Sequence, residues 1–166
     1  MSKIFDLDME KCVACGACAI ACMDQNDRFP DQGDEMYRCV GVVEPMKKDA
    51  RLEFLSIGCM HCEDAPCITA CPCGCLYKDE NGLTVFDNAA CIGCHSCSMA
   101  CPFGAPTFGS DGKMKKCDGC SVRVKNGMLP ACVQICPTNA LTLVDRKDYI
   151  VDKRECSMRM IARQNR

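Results

Sequence analysis

The sequence predicts an α+β fold made of two similar small modules, the inner one inserted within the outer. Three observations carry this expectation. Of the 20 cysteines in 166 residues, all but four fall into four groups of four. The groups alternate between two spacings along the chain. Short β-prone runs and turn signals separate them at matching places.

The first group is Cys12, Cys15, Cys18 and Cys22, spaced C-x2-C-x2-C-x3-C. The second, Cys59, Cys62, Cys67 and Cys71, is C-x2-C-x4-C-x3-C-P. The third, Cys91, Cys94, Cys97 and Cys101, returns to the first spacing and adds Pro102. The fourth, Cys117, Cys120, Cys132 and Cys136, is C-x2-C-x11-C-x3-C-P. The order is a-b-a-b, an internal duplication. The flanks repeat as well: Asp8 and Asp87 each precede a first cysteine by four residues. CPCGCLYK from Cys71, CPFGAPTF from Cys101 and CPTNALTL from Cys136 are three copies of one exit.

Each unit reads as a short strand, a cysteine loop, a brief helical turn, Cys-Pro and another short strand. Asn81-Gly82 marks a hairpin between LYK and LTVF, and Ser110-Asp111-Gly112 marks a turn before KMKK. Gly16, Gly74, Gly93 and Gly104 stand where the chain must turn tightly around a bulky group. Residues 23–58 interrupt the repeat, acidic at Asp24, Asp27, Asp31, Asp34 and Glu35, then basic at Lys47, Lys48 and Arg51. The RLEFLSI end of this excursion reads as a strand leading into Cys59. Residues 145–166 form a charged tail, expected to be either a partner contact or solvated.

Composition bounds the function. Trp is absent and Phe and Tyr total 9, too few for a large conventional core. Cysteine at this density means disulfides or metal clusters. The opening MSKIFDLDMEK has no apolar run of a secretory signal, and no segment is apolar enough to span a bilayer. The expectation is a cytoplasmic chain whose thiols are free to act as ligands. With 20 basic and 22 acidic residues, nucleic acid is not the expected partner.

A cubane iron–sulfur cluster needs four thiolates at tetrahedral corners. C-x2-C-x2-C supplies three from one loop. The fourth, x3 further on and before Pro, has already turned away and in two-cluster ferredoxins binds the other cluster. The stretch between Pro72 and Ala90 has the hairpin of such a ferredoxin, so the second and third groups pair. One cluster then takes Cys59, Cys62, Cys67 and Cys101, and another Cys71, Cys91, Cys94 and Cys97. The outer groups close around them, as Cys12, Cys15, Cys18 with Cys136, and Cys22 with Cys117, Cys120 and Cys132. The modules are residues 53–112 (inner) and residues 1–52 with 113–144 (outer), both ferredoxin-like. The rival arrangement pairs first with second and third with fourth. Zinc is the alternative metal, but a zinc site closes with two C-x2-C pairs and needs no third cysteine at x2 or Cys-Pro at x3.

Four cysteines remain. Cys75 aligns with Ala105 and Ala140 and reads as a small buried residue; Cys73 aligns with Phe103 and Thr138, not a ligand position. Cys39 and Cys156 have no counterpart. His61 and His95 lie beside ligand cysteines, either tuning a cluster through N–H···S bonds or merely lining the loop. The 11 methionines read as gap-filling in a core short of aromatics. Sixteen thiolates and four 2+ cores change the formal charge from −2 to about −10. The basic residues Lys113, Lys115, Lys116, Arg123 and Lys125 around Cys117 and Cys120 would then raise that cluster's potential, or else form a solvated face.

GCMHCEDAPCITACPCGC, CIGCHSCSMACPFGAP and KCDGC…PACVQICPTNAL resemble the motifs of four-cluster iron–sulfur subunits of the dimethyl sulfoxide reductase type. The resemblance covers about residues 3–145. It implies four [4Fe-4S] clusters, and a larger molybdenum- or tungsten-pterin catalytic subunit as partner, with a second electron-transfer subunit or ferredoxin beyond. Some members replace a cysteine and carry a [3Fe-4S] cluster; here all the positions are cysteine. CPCGC stands where the family usually has CPTGA. Many members continue into a membrane anchor, whereas this chain is as compact as the small subunits of tungsten aldehyde oxidoreductases. No set of acid, base or nucleophile is legible, so the expected function is electron relay, not catalysis. A free polyferredoxin serving several enzymes and a redox sensor are the alternatives.

Overall fold

A computed structural model describes residues 2–44 and 52–164. Strand β1 (Lys3–Leu7) pairs antiparallel with β8 (Leu141–Asp145), from Lys3 opposite Asp145 to Leu7 opposite Leu141. Nearly the whole chain lies between these two strands. The pair is pinned at its open end by Lys3 Nζ on the Asp145 carboxylate at 3.0 Å.

Between them run α1 (Ala17–Gln25), β2 (Arg38–Val43), β3 (Glu53–Gly58), α2 (Pro66–Thr69), β4 (Leu76–Lys78) and β5 (Thr84–Phe86). Then follow α3 (Ser96–Ala100), β6 (Thr107–Phe108), β7 (Met114–Lys115), α4 (Ser121–Lys125) and α5 (Ala131–Gln134); α6 (Arg146–Gln164) comes last. The sheets are all two-stranded: β1 with β8, β2 with β3, β4 with β5 and β6 with β7. This is a mixed α+β architecture of short elements, as the sequence led one to expect.

The turn signals act as expected. Asp79 Oδ1 accepts from the Asn81 and Leu83 backbone N–H groups, closing the β4–β5 turn around Gly82. Asp111 Oδ1 accepts from Lys113 N in the β6–β7 turn. That second hairpin bridges residues 112 and 113, the expected boundary between inner and outer modules. Asp8 and Asp87 cap the turns before their loops: Asp8 accepts from Glu10 and Lys11 N–H, Asp87 from Ala89 N–H. After each Cys-Pro the same turn recurs, with Gly74, Gly104 and Asn139 at φ 63, 62 and 52° donating to the cysteine carbonyl three residues back.

The RLEFLSI strand is β3, but its partner β2 was not legible in the excursion. Within the excursion Arg28 is buried, paired with Asp34 at 3.0 Å and stacked over Tyr37. Lys47, Lys48 and Arg51 lie outside the described residues. The tail is a helix: Arg146 pairs with Glu63 at 2.6 Å, while Ile150, Val151 and Met158 are exposed. No helix among the described residues is long and apolar enough to cross a membrane.

The core is split in two. Phe5, Leu83, Val85, Val133 and Leu141 pack with Cys18 and Cys132. Ala65, Leu76 and Met114 pack with Cys67, Cys75 and Cys97. Cysteines are thus part of both cores. Among the described residues Met114 is fully buried and fills the second core, but Met9, Met36, Met60, Met99, Met128 and Met158 are exposed, against the expectation of gap-filling.

Candidate metal centres

Each C-x-x-C loop turns at the residue before its second cysteine. Ala14, His61, Gly93 and Gly119 hold these places with φ of 51, 46, 68 and 76°. Left-handed backbone there turns successive N–H groups toward the concave side of the loop, a shape suited to an anionic group. At Gly93 a Cβ would meet the Gly112 carbonyl oxygen at 2.5 Å, so no larger residue fits.

The loops bring cysteines together across long sequence distances. Cys12, Cys15, Cys18 and Cys136 line one small cavity. Cys59, Cys62, Cys67 and Cys101 line another. Cys22 is buried on α1, which packs against α5, and burial with repulsion from Cys132 and Cys120 pushes its thiol up to about 12. Burial raises Cys117 as well, with repulsion from Cys59 and Cys22. Burial takes Cys97 up to about 11, and Cys71 adds repulsion. The Ser96 hydrogen bond holds Cys94 low against the same Cys71. Burial favours the neutral form of these thiols, and cluster iron would take the place of their protons when bound.

The buried cations support that conclusion. Lys116 is 1 % and Arg38 4 % exposed. Lys116 Nζ donates to the carbonyls of Thr84, at 2.6 Å, and Cys117, and sits over the Phe86 ring. Lys78 Nζ donates to the carbonyls of His61, Cys62 and Gly82 and to Thr84 Oγ1. Arg38 donates from Nη1 to Ser56 Oγ at 3.0 Å, and Ser56 Oγ lies 3.2 Å from Cys18 Sγ. The Arg38 guanidinium also favours the Cys132 thiolate, against the burial that pushes that thiol up. Among the described residues no ion pair joins Lys116, Lys78 or Arg38 to a carboxylate. Buried cations require counter-charge. Cysteine sulfur is what they face, and the residues present therefore fit anionic thiolate-bound clusters.

Of the basic residues flanking Cys117 and Cys120, Lys116 alone is buried. Lys113 is spent on the carbonyls of Asn88 and Cys91, Arg123 bonds Gln25 and Gln134 on the surface, and Lys125 reaches Glu80. Arg38 and Ser56 escaped sequence reading altogether. Their only signal was a charged residue at the start of an unrecognised strand.

The spare cysteines divide. Cys75 is 3 % exposed in the second core, with its Sγ 3.4 Å from that of Cys71. Cys73 Sγ lies 3.7 Å from Cys71 Sγ, as Thr138 Oγ1 lies 3.8 Å from Cys136 Sγ. At these two exits the residue two after the ligand thus sets a polar S–H or O–H group against it, which Phe103 cannot do after Cys101. Burial opposes ionisation of Cys71, but hydrogen bonds from Cys75 and Cys73 outweigh it and bring Cys71 down to about 7. Cys75→Ala is expected to keep the full iron content and lose about 1–2 kcal/mol of stability, measured by iron assay and chemical denaturation under argon. Cys39 is exposed on β2, and the Cys156 side chain lies outside the described residues.

The two histidines differ. His61 is buried, and burial followed by repulsion from Lys116, Lys78 and Arg38 lowers it far below its ordinary value. His95 is exposed and stacks on Phe108 with ring centroids 3.7 Å apart.

Residues 50–146 match the family model described as "4Fe-4S dicluster domain". The chain is 40% identical over 147 residues to the B subunit of the anaerobic dimethyl sulfoxide reductase of Escherichia coli, covering 82% of this chain and 70% of that subunit. It is 38% identical over 137 residues to the thiosulfate reductase electron transfer subunit of Salmonella typhi, covering 81% and 71%. With the iron-sulfur subunit of the nitrate-inducible formate dehydrogenase of Escherichia coli the identity is 35% over 164 residues, and the match spans 87% of this chain and about half, 54%, of that subunit. The cysteine loops, the convergent sulfurs and these likenesses agree: the chain belongs to the iron–sulfur electron-transfer subunits of the dimethyl sulfoxide reductase type of oxidoreductase.

Proposed function

We propose that the chain holds four [4Fe-4S] clusters in a row and relays electrons between a molybdenum- or tungsten-pterin catalytic subunit and a second redox partner. The observation that carries this is the crossing of the cysteines. Cys136 joins Cys12, Cys15 and Cys18 around one cavity, and Cys101 joins Cys59, Cys62 and Cys67 around another. By the same logic Cys22 completes Cys117, Cys120 and Cys132, and Cys71 completes Cys91, Cys94 and Cys97. The β1–β8 pairing supports an outer module that closes around an inner one.

Neighbouring sulfurs support an order. Cys18 and Cys132 interact, as do Cys117 with Cys59 and Cys97 with Cys67. The row then begins at the Cys12 set and passes through the Cys22 set and the Cys59 set to the Cys71 set. Its two ends each carry an exposed ligand, Cys15 and Cys94, where electrons would enter and leave. The clusters supply one-electron redox capacity; this chain's residues set their spacing, polarity and shielding. Arg38 lies at the first junction and Lys116 at the second. The thiols suit a reducing, cytoplasmic compartment.

Lys116→Met is expected to lower the potentials of the two middle clusters, because a buried positive charge favours the reduced form. Lys115→Met should leave them in place. Redox titration followed by EPR reads both. The partner is tested by anaerobic gel filtration of native protein. Co-elution with a large pterin-bearing chain supports the dedicated relay, and elution alone at the monomer position supports a free polyferredoxin.

A further inference from the structure

We infer that His61, from the loop of one cluster, is a positioning residue that raises the potential of the next by donating an Nε2–H···S bond to Cys117. The inference rests on the ligand sets proposed above.

The geometry assigns the proton. The Thr84 backbone N–H donates to His61 Nδ1 at 2.9 Å, so Nδ1 carries a lone pair. A neutral imidazole with Nδ1 as acceptor has its hydrogen on Nε2. Nε2 lies 3.6 Å from Cys117 Sγ, leaving that sulfur as the acceptor. The ring is 5 % exposed and held by Phe5, whose centroid is 5.4 Å away.

Two backbone features keep this slot open. His61 has φ 46°, which swings it out of its own C-x-x-C loop toward the facing one. Gly119 supplies the room: a Cβ there would meet Leu83 at 2.9 Å and His61 Cε1 at 3.2 Å. His61 thus sits between Cys59 and Cys62 in sequence but bonds a sulfur 56 residues away.

The effect has a definite sign. A hydrogen bond to a ligand thiolate withdraws charge from iron and stabilises the more negative, reduced cluster. Lys116 lies close to both middle clusters and acts on both by charge. His61 addresses one sulfur, so its effect falls on one cluster. His95 makes no such bond among the described residues, which separates the two histidines.

The test compares His61→Leu, which removes the donor, with His61→Gln, which keeps an N–H at the same reach. In His61→Leu one of four midpoint potentials should fall, and it should be that of the EPR signal abolished by Cys22→Ser. His61→Gln should restore most of it. Unchanged potentials in His61→Leu with full iron content, or an equal fall in all four, would overturn the inference. Where His61→Leu fails to assemble, pulsed EPR on ¹⁵N-histidine-labelled His95→Asn protein decides. A single ¹⁵N coupling on one reduced cluster is expected, and no coupling overturns the proposal. Wild-type protein lacking cubane EPR signals would instead count against the cluster reading itself.

Discussion

Cys22→Ser is expected to abolish the same EPR signal as Cys132→Ser and to leave untouched the one abolished by Cys15→Ser. Iron should fall by about four atoms per chain in each. The spacing leads to the same expectation, although Cys22 follows Cys18 by only one helical turn. The helix is the reason the two cysteines differ. Cys18 and Cys22 both lie on α1, but the turn between them carries Cys22 toward α5 and its Cys132. Asn26 locks that end, donating to the Cys22 carbonyl at 2.7 Å. Burial with repulsion from Cys132 and Cys120 marks where the Cys22 sulfur points. Loss of the Cys15 signal in Cys22→Ser would refute the crossing.

Removing the metal should unfold the chain. The sheets are separate two-stranded pairs, and such a pair is marginal in water without further layers. The helices that link them are short: α2 and α5 have 4 residues each, below what stands alone. Neither core is continuous without its cysteines, as Cys18 and Cys132 complete one and Cys67, Cys75 and Cys97 the other. Stripped of clusters, buried Lys116 and Arg38 also lose their counter-charge, at a cost of about 3–5 kcal/mol for each broken pairing. Anaerobic oxidation with a chelator is therefore expected to abolish the cooperative thermal transition seen by circular dichroism. A transition persisting near the holoprotein's midpoint would show that the polypeptide alone holds the fold.

The parts of this molecule legible in the sequence are those set by local chemistry. Cysteine spacing marked the loops, Asn81-Gly82 and Asp111-Gly112 marked two hairpins, and the apolar end of the excursion marked β3. What was missed depends on contacts between distant segments. RCVGVV became β2 because β3 lies alongside it, and Arg38 is buried between Ser56 of that strand and the Phe5 ring of β1. Lys116 sits in a run that reads as solvated, yet its side chain turns inward to carbonyls of Thr84 and Cys117. His61 was one of two equal candidates until Gly119, in another loop, left space for its ring. Methionine as core filler failed at positions such as Met60 and Met99, which lie between ligand cysteines and are exposed.

Metal analysis of protein purified without oxygen tests the central claim most directly. The account predicts about sixteen irons and as many acid-labile sulfides per polypeptide, four for each cubane. Zinc in their place, or markedly fewer irons than that, would contradict it.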